Sequence, residues 1–374
     1  MIVLLDKNGE RECLMDLCSD VVYEQQLNQI DKLEFKVPVG AYPIEIEKFL
    51  LLGSSKSDFI IEQGRPITVL NKFTIKEVNR DGDTFTIFAV GCADDLIGTS
   101  YYLYEQVEST LDTNMRKLVY NLGWRWTLLS HPNQSNFHNK KRTIRVEKQN
   151  VYEILKQVAK VYRCDFKIDC YKKQIYMFPS DVGINTNYTA EYYFRDDLNM
   201  ISLSKESHTH DLITKITAIG KEGLTFADIN NGLDYVENYD FTNKVMHMYW
   251  EDNRYTDAES LLEDTIAKLK ELSVPFESYT VKLVNLYELH PDLYSKGYSY
   301  ELGNIIEIVD SSEEVILKQK IIKITKHPLD PLQDTCVIAS LGIKFEDIQV
   351  ERDMEVKRLG NLINADGTLR IANK

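Results

Sequence analysis

The sequence lacks the features that mark several large classes of protein. Its longest apolar runs, such as 49–52, fall far short of the ~20 residues that a membrane-spanning helix needs. The start has no basic region and reaches Asp6 after a short apolar stretch, so no secretory signal is expected. No C-x-x-C pair occurs, which predicts free thiols and folding in a reducing cytosol. The six cysteines are Cys13, Cys18, Cys92, Cys164, Cys170 and Cys336.

Basic residues are outnumbered, and tyrosine is abundant. The 44 Lys and Arg residues against 58 Asp and Glu residues give a net charge of −14. This sign is wrong for a protein that binds nucleic acid by neutralising phosphates. A negative protein can still lie beside DNA without retaining it, because like charges repel. The 22 tyrosines raise the expectation of large subunit interfaces, where amphipathic rings are enriched.

Motifs for nucleotide binding and for esterase chemistry are missing. Neither G-x-x-x-x-G-K-[ST] nor G-x-G-x-x-G occurs, and Gly53-Ser54-Ser55 lacks the spacing of a nucleophile elbow. Asp81 and Asp83 flank Gly82, but the remaining ligands of an EF-hand loop are missing, so this segment is interpreted as a turn.

One segment, His208-Thr209-His210-Asp211, has residue types that bind metal ions. On a strand both histidines would face the same side. Because no third ligand group is evident, a polar strand surface or a contact between protomers is the favoured interpretation.

Acidic pairs and a tryptophan pair offer further candidates. Trp124-Arg125-Trp126 could stack on a sugar or a base, although packing of the two indoles in a core is favoured. Adjacent carboxylates could supply the acid and the base for glycoside cleavage, but with 58 acidic residues such pairs are expected by chance. These pairs are Asp94-Asp95, Asp196-Asp197 and Glu313-Glu314. The sequence therefore predicts no catalytic, cofactor-binding or metal-binding residues and no cofactor.

The apolar pattern predicts an α+β fold that is predominantly β. Alternating runs separated by turn residues predict strands over 1–106 and a hairpin around Asp81-Gly82. Helical spacing predicts one helix over 111–122, capped by Ser109 and ended by Gly123, and another after Asn150. Further elements are predicted in this order: a strand pair over 166–177, a helix with a capping box at Thr256, strands over 279–286, 305–309, 315–325 and 335–341, and a last helix over 345–359.

Two hairpins of the sequence share one design. The pattern of 73–78, a turn and 83–88 is repeated by 321–325, a turn and 334–338. Both follow a short apolar strand. The repetition indicates two similar β structures in one chain, although β-hairpins in general share much of this pattern.

A series of segments in the second half resembles a known family. They are, in order, Ile216–Thr225, Asn230-Asn231-Gly232, Tyr235–Tyr239, the helix from Thr256, Pro275–Tyr279, Tyr300–Ile306 and His327–Pro331. In kind and order these are similar to the tail-associated hub proteins of long-tailed bacteriophages, also called prophage endopeptidase tail proteins. Asn304 stands where the family pattern has Asp. The first 200 residues match by layout only.

The resemblance implies a structural baseplate hub rather than an enzyme. It implies a homotrimer with two tube-like β-barrel domains per chain and smaller α/β domains, placed at the distal tip of the virion tail. The implied partners are the hexameric distal tail protein, the end of the tape-measure protein and receptor-binding proteins of the baseplate, with DNA passing through without specific binding and no stable membrane association. Assembly would take place in the cytoplasm of the bacterial host.

The predicted division assigns 1–106 and 186–250 to a first β-barrel domain and 107–185 to an inserted α+β subdomain. Residues 251–345 form a helix and the second β-barrel domain, and 346–374 a C-terminal helix and tail. Two other hypotheses remain: a cell-wall hydrolase, either an endopeptidase or a glycosidase, and a different oligomeric structural or carbohydrate-binding protein.

Overall fold

The structure is a computed structural model that describes residues 1–54, 60–62, 65–129, 139–180, 192–195, 198–253, 255–286, 292–293, 300–310 and 315–339. It is predominantly β with a few helices, as the sequence predicts. The helices are α1 Asp94–Gly98, α2 Leu111–Val119, α3 Val151–Tyr162 and α4 Ala258–Leu272. The strands are β1 Ile2–Leu5, β2 Arg11–Met15, β3 Ser19–Gln26, β4 Lys32–Pro38, β5 Phe49–Ser54, β6 Ile60–Glu62, β7 Arg65–Asp81, β8 Thr84–Gly91, β9 Ser100–Ser109, β10 Arg125–Leu128, β11 Arg142–Asn150, β12 Cys164–Asp169, β13 Gln174–Pro179, β14 Tyr192–Arg195, β15 Met200–His208, β16 Lys215–Ile219, β17 Tyr235–Glu237, β18 His247–Glu251, β19 Phe276–Leu283, β20 Ile305–Asp310, β21 Val315–Lys326 and β22 Thr335–Ala339.

The first sheet unit consists of β1–β8. In space the strands β3, β4, β8, β7, β5 and β1 follow one another, and all neighbours are antiparallel. Alternation along β4 buries Leu33, Phe35 and Val37 on one face, because successive side chains of a strand point to opposite faces. Together with Phe73 and Ile87 from the neighbouring strands they form the core of this unit.

The second sheet unit repeats this strand order. Strands β15, β19, β22, β21, β20 and β14 lie side by side, so each corresponds to one strand of the first unit in chain order and in position. The corresponding strands of the first unit are β3, β4, β8, β7, β5 and β1. One direction differs, since β14 is parallel to β20 whereas β1 is antiparallel to β5.

The correspondence extends to single residues. The central strand of each unit shifts register by one residue at the same place, between Ile75 and Glu77 in β7 and between Ile321 and Lys323 in β21. Alignment on this irregularity makes buried positions coincide: Leu33 with Tyr279, Phe35 with Val281, Ile87 with Cys336, Ala89 with Ile338 and Leu50 with Ile306. The similarity of the two predicted hairpins therefore extends to whole sheets.

The two units meet at β21. Its residues 315–320 pair with β20, and its last residues, 323–326, pair antiparallel with residues 23–26 of β3. Both units thereby belong to one 14-stranded sheet. Within the described ranges this sheet ends at β15 and at β2, and neither unit closes into a barrel.

The inserted α+β unit packs α2 and α3 against the three-stranded sheet β10-β13-β12. Asn150 caps α3, because its side chain accepts a hydrogen bond from the Glu153 amide at 2.8 Å. The cap of α2 is Thr110, which accepts from the Thr113 amide, and not Ser109 as predicted. Gly123 has a φ of +76° and follows the short 3-10 turn that ends this segment, as its sequence position predicts.

A small α/β unit lies between β15 and β19. Its sheet has the order β17-β16-β18, and α4 packs on it through a core of Ala218, Phe226 and Leu261. The N-cap of α4 is Asp257 and not Thr256. The Asp257 carboxylate accepts hydrogen bonds from two amides of the first turn, and a negative charge is favoured at that end of a helix.

Other predictions differ in their boundaries or in their partners. Strand β19 begins at Phe276, directly after Pro275, and ends at Leu283. Both ends of the predicted range 279–286 are therefore shifted by three residues toward the C-terminus. The predicted division grouped 186–250 with the first β domain, whereas β14 and β15 pair with β20 and β19 of the second unit. The predicted helix over 345–359 and the tail after it lie outside the described residues.

Candidate functional site

The histidine pair lies at the end of β15, on the edge of the second sheet unit. The His208 ring stacks on Phe276 with centroids 4.7 Å apart, and His210 stacks on His208 at 5.4 Å. In the described part of the chain no group of three His, Cys, Asp or Glu residues could hold a metal ion. The His208 Nδ1 atom is buried and has no hydrogen-bond partner among the described residues. The pair is thus a packed sheet edge.

The acidic pair at the start of α1 holds structural contacts. Asp94 accepts a hydrogen bond from Thr74 at 2.9 Å and pairs with Lys76 at 2.8 Å. Asp95 pairs with Lys173 at 2.6 Å and accepts from the indole of Trp124 at 2.9 Å. Their carboxylates therefore join the first sheet unit to the inserted unit. The pairs 196–197 and 313–314 lie outside the described residues.

The two tryptophans differ in burial, since Trp124 lies in the core of the inserted unit and Trp126 is half-buried. Trp124 is 1% exposed, and Trp126 donates its indole N–H to Asp112 at 2.9 Å. An open cleft beside them is also lined by Arg116 and Tyr120. Since the ring of Trp124 is covered, it offers no face for stacking on a sugar or a base.

Two other candidate segments are parts of strands or turns. Gly53 lies in β5, and its amide donates to the Met1 carbonyl at 2.8 Å, whereas Ser55 lies outside the described residues. Gly82 has a φ of +58° at the tip of the β7–β8 hairpin, which confirms the turn there. Asp81 and Asp83 are exposed on either side of it.

A buried polar cluster joins the first sheet unit, the second sheet unit and the inserted unit. Lys320 of β21 forms an ion pair with Asp165 of β12 and donates to the carbonyl of Ser180. The side chains of the pair are only 5% and 3% exposed. The Asn28 amide group donates to Asp165 at 2.9 Å and accepts from the Phe166 amide at 2.7 Å. Breaking such a pair is costly, because one charge would stay buried without the other.

The strand junction between the sheet units carries its own contacts. Glu24 of β3 forms an ion pair with Lys323 of β21 at 2.7 Å. Leu27 follows β3 and lies in the core of the second unit, and its amide donates to the Ile322 carbonyl at 3.0 Å. The first unit therefore contributes both a strand and a core residue to the second.

A buried carboxyl group lies where the first sheet unit meets the inserted unit. Asp31 accepts hydrogen bonds from the Tyr23 hydroxyl at 2.6 Å and from the Asn71 amide group at 2.7 Å. Asn71 in turn accepts from the amide of Cys170 at 3.0 Å. Burial outweighs these hydrogen bonds and raises the pKa of Asp31 to about 6. The same burial and the nearby Asp31 raise the pKa of Tyr23.

The helices of the described ranges are all too short or too polar to cross a membrane.

The comparisons with known proteins point to phage tails. The family of prophage endopeptidase tail proteins matches residues 188–349. The resemblance to phage tail proteins is confirmed. No curated protein matches the chain.

Solved tail proteins share the fold over nearly the whole chain. Prophage tail protein gp18 from Listeria monocytogenes has a TM-score of 0.64 and 14% identity, covering 95% of this chain and 99% of that one. The tail protein of Neisseria meningitidis has a TM-score of 0.62 and 11% identity, and the match covers 91% of this chain and 97% of that one. The 43 kDa tail protein of prophage MuSo2 from Shewanella oneidensis has a TM-score of 0.59 and 12% identity, and the match covers 90% of this chain and 96% of that one. At these identities the likeness shows the fold.

The family match is confined to residues 188–349, and the solved tail proteins show the fold of the whole chain. The word endopeptidase in the family description leaves a peptidase activity to be tested by experiment.

Sequence reasoning missed the residues that join the units. Asn28, Asp165 and Lys320 are separated by more than a hundred positions, and the hydrogen bond between Asn28 and Asp165 spans 137. The available signal was the presence of lysines inside the otherwise apolar strand 315–324, at Lys318, Lys320 and Lys323, because a charge that is buried there has to find a partner. That signal indicates a buried pair but cannot name Asp165.

Proposed function

We propose that this chain is the baseplate hub of a long-tailed bacteriophage, and that three copies form a ring that extends and closes the tail tube. The observation that carries the proposal is the repetition of one strand order and register in two sheet units of one chain. Three chains would place six similar units around a three-fold axis. Such a ring matches a hexameric tube above it.

Each sheet unit supplies one barrel-like tube domain in this proposal. The first comprises β1–β8, and the second comprises β14, β15 and β19–β22. The inserted α+β unit and the small α/β unit lie outside the ring wall. This division keeps the inserted subdomain 107–185 and moves residues 192–208 to the second tube domain, because their strands pair there.

The ring would contact other parts of the tail and let DNA pass. Its proposed partners are the distal tail protein hexamer, the C-terminus of the tape-measure protein and receptor-binding proteins. The net charge of −14 supports passage without retention, since a wall that is not basic does not hold a polyanion. Assembly in the host cytoplasm and opening of the ring for DNA belong to the same proposal.

Mass and symmetry test the ring. Light scattering should give three times the mass of the 43.4 kDa chain, and class averages seen down the axis should show a six-fold appearance. A dimer would contradict the proposal, and so would a trimer whose two sheet units lie at unrelated radii.

The family description favours one second candidate, a cell-wall endopeptidase. Incubation of the purified protein with peptidoglycan of a susceptible host separates the two. The hub proposal expects no soluble fragments, because the described candidates Asp94, Asp95, His208 and His210 are engaged in structural contacts. Fragment release that a single carboxylate or histidine substitution abolishes would favour the peptidase.

A further inference from the structure

The two sheet units are joined through one strand edge of each unit, and both edges have a counterpart in the other unit. Inside the chain, β3 of the first unit pairs with the last residues of β21 in the second. The strand that corresponds to β3 is β15, and the segment that corresponds to the end of β21 is 77–80 of β7. Among the described residues, β15 pairs with β19 alone and this segment of β7 pairs with β8 alone.

We propose that β15 of one copy pairs antiparallel with residues 77–80 of β7 in a second copy. The contact would repeat between chains the junction that β3 and β21 form within one chain. It rests on the proposed ring, and it specifies how neighbouring chains join. A second copy is the fitting occupant, because the two complementary edges lie on the same chain and a head-to-tail contact of this kind can close a ring. Unpaired edges otherwise invite uncontrolled association.

The internal junction fixes the register of the proposed one. Within the chain, Glu24 lies opposite Thr325 and Gln26 lies opposite Lys323. By the alignment of the units, Glu206 corresponds to Glu24 and His208 corresponds to Gln26. Glu77 and Asn79 correspond in the same way to Lys323 and Thr325.

Glu206 of one copy would therefore lie opposite Asn79 of the next, and His208 would lie opposite Glu77. Glu206, Asn79 and Glu77 are all exposed in the single chain. The His208 Nδ1 atom, which has no hydrogen-bond partner among the described residues, would lie near the Glu77 carboxylate of the second copy.

The charges differ between the two junctions on both faces of the sheet. On one face Arg80 would lie opposite Lys205, where the internal junction has Lys326 opposite Tyr23. The other face carries the difference that the test uses. Inside the chain Glu24 pairs with Lys323 at 2.7 Å, on the same face of the sheet. The corresponding residues between chains are Glu206 and Glu77, which carry like charges. This difference allows the contact to be tested by a gain in affinity, which a variant that merely fails to fold cannot mimic.

A charge-swap cycle is the test. Glu77→Lys copies Lys323, and Glu206→Lys places the opposite charge on the other strand, so each should strengthen association about 5-fold per contact. The double variant restores like charges and should return to within about 2-fold of the unmodified chain. Sedimentation over a dilution series measures the association constants. If the complex does not dissociate on dilution, urea is added at concentrations that do not unfold the chain.

Glu222→Lys is the matched control, because Glu222 is 85% exposed and belongs to the small α/β unit rather than to β7 or β15. It makes the same change in net charge and should leave the association constant unchanged. If the association of the double variant is strengthened by the sum of the two single effects, the proposal is overturned. Four forms of the chain that all remain monomeric would overturn it as well.

A cross-link separates this contact from the ring itself. Asn79→Cys and Glu206→Cys in one chain should form disulfides between chains under mild oxidation, since opposite residues of antiparallel strands have Cα atoms about 5 Å apart. The control pair Asn79→Cys and Ser202→Cys is displaced by four residues, or roughly 13 Å, and should not cross-link. A trimer by mass in which both pairs react alike would leave the ring intact and overturn the strand contact.

Discussion

Asp31 is a carboxyl group buried at a junction, and its protonation should couple to stability. Its pKa is raised from 3.8 to about 6 by burial, so between pH 4 and 6 the folded chain binds more protons than the unfolded chain. The contribution of Asp31 to the free energy of unfolding therefore falls as pH rises through this window, by about 3 kcal/mol. We expect Asp31→Asn to gain that amount relative to the parent between pH 4 and pH 7, measured by urea unfolding.

Asp6 provides a control of opposite sign. Its pKa is lowered, mainly by a hydrogen bond from the Glu10 amide, so its contribution is present above the unfolded pKa and is lost as pH falls. Asp6→Asn should thus lose stability relative to the parent as pH rises. If the curves of the two variants run parallel across the pH range, the assignment of the acid-side effect to Asp31 is wrong.

Lys320 should be the costliest single charge to remove. Lys320→Met leaves the Asp165 carboxylate buried without its ammonium partner, and the expected loss is about 3–5 kcal/mol of unfolding free energy. Adding Asp165→Asn removes the charge while an oxygen still accepts from Asn28, so the double variant should recover part of that loss. Equal stability of the Lys320→Met variant and the double variant would contradict the unpaired Asp165 carboxylate as the cause of the loss.

At the scale of elements, the end of β8 approaches the inserted unit so closely that only glycine fits. A Cβ atom on Gly91 would lie 2.8 Å from Cγ2 of Ile30 and 2.9 Å from Sγ of Cys170. Gly91→Ala should cost about 1–3 kcal/mol and lower the melting temperature. Gly98→Ala is the matched control, because nothing lies within 4 Å of the added methyl group. Similar melting temperatures for both variants would contradict the close approach.

Local signals in the sequence predicted most elements, because helices and tight turns depend on residues that are close together in the chain. The spacing of apolar residues located α2, α3 and α4, and Asp-Gly located the β7–β8 turn. Helix starts were wrong by one residue where two adjacent side chains could cap, as at Thr256 and Asp257. Choosing between them depends on backbone angles that the sequence does not state.

Strand partners were harder to predict than strands. The predicted division groups β15 with the first unit, whereas in the structure β15 pairs with β19, which follows the small α/β unit in the chain. Alternation records which face of a strand is buried but not which strand lies beside it. Pairing of β3 with β21 joins residues about three hundred positions apart, and no spacing rule reaches that far.

For the whole molecule, the within-chain and between-chain junctions of the proposed ring differ in strength. The junction within the chain has the Glu24–Lys323 ion pair, Leu27 in the neighbouring core and the buried Lys320–Asp165 pair. The proposed junction between chains has like charges at Glu206 and Glu77. The position that corresponds to Leu27 is Thr209, which buries less apolar surface.

The assembled ring should therefore come apart before its chains unfold. In a urea titration, light scattering should show dissociation at low denaturant with a midpoint that rises with protein concentration, because association depends on mass action. Loss of β circular dichroism should follow at a midpoint that does not depend on concentration, since each chain keeps its own cores. A single transition in which both signals change together and both depend on concentration would mean that the folded chain needs its neighbours. The strong within-chain junction would then not be sufficient to hold the two sheet units together.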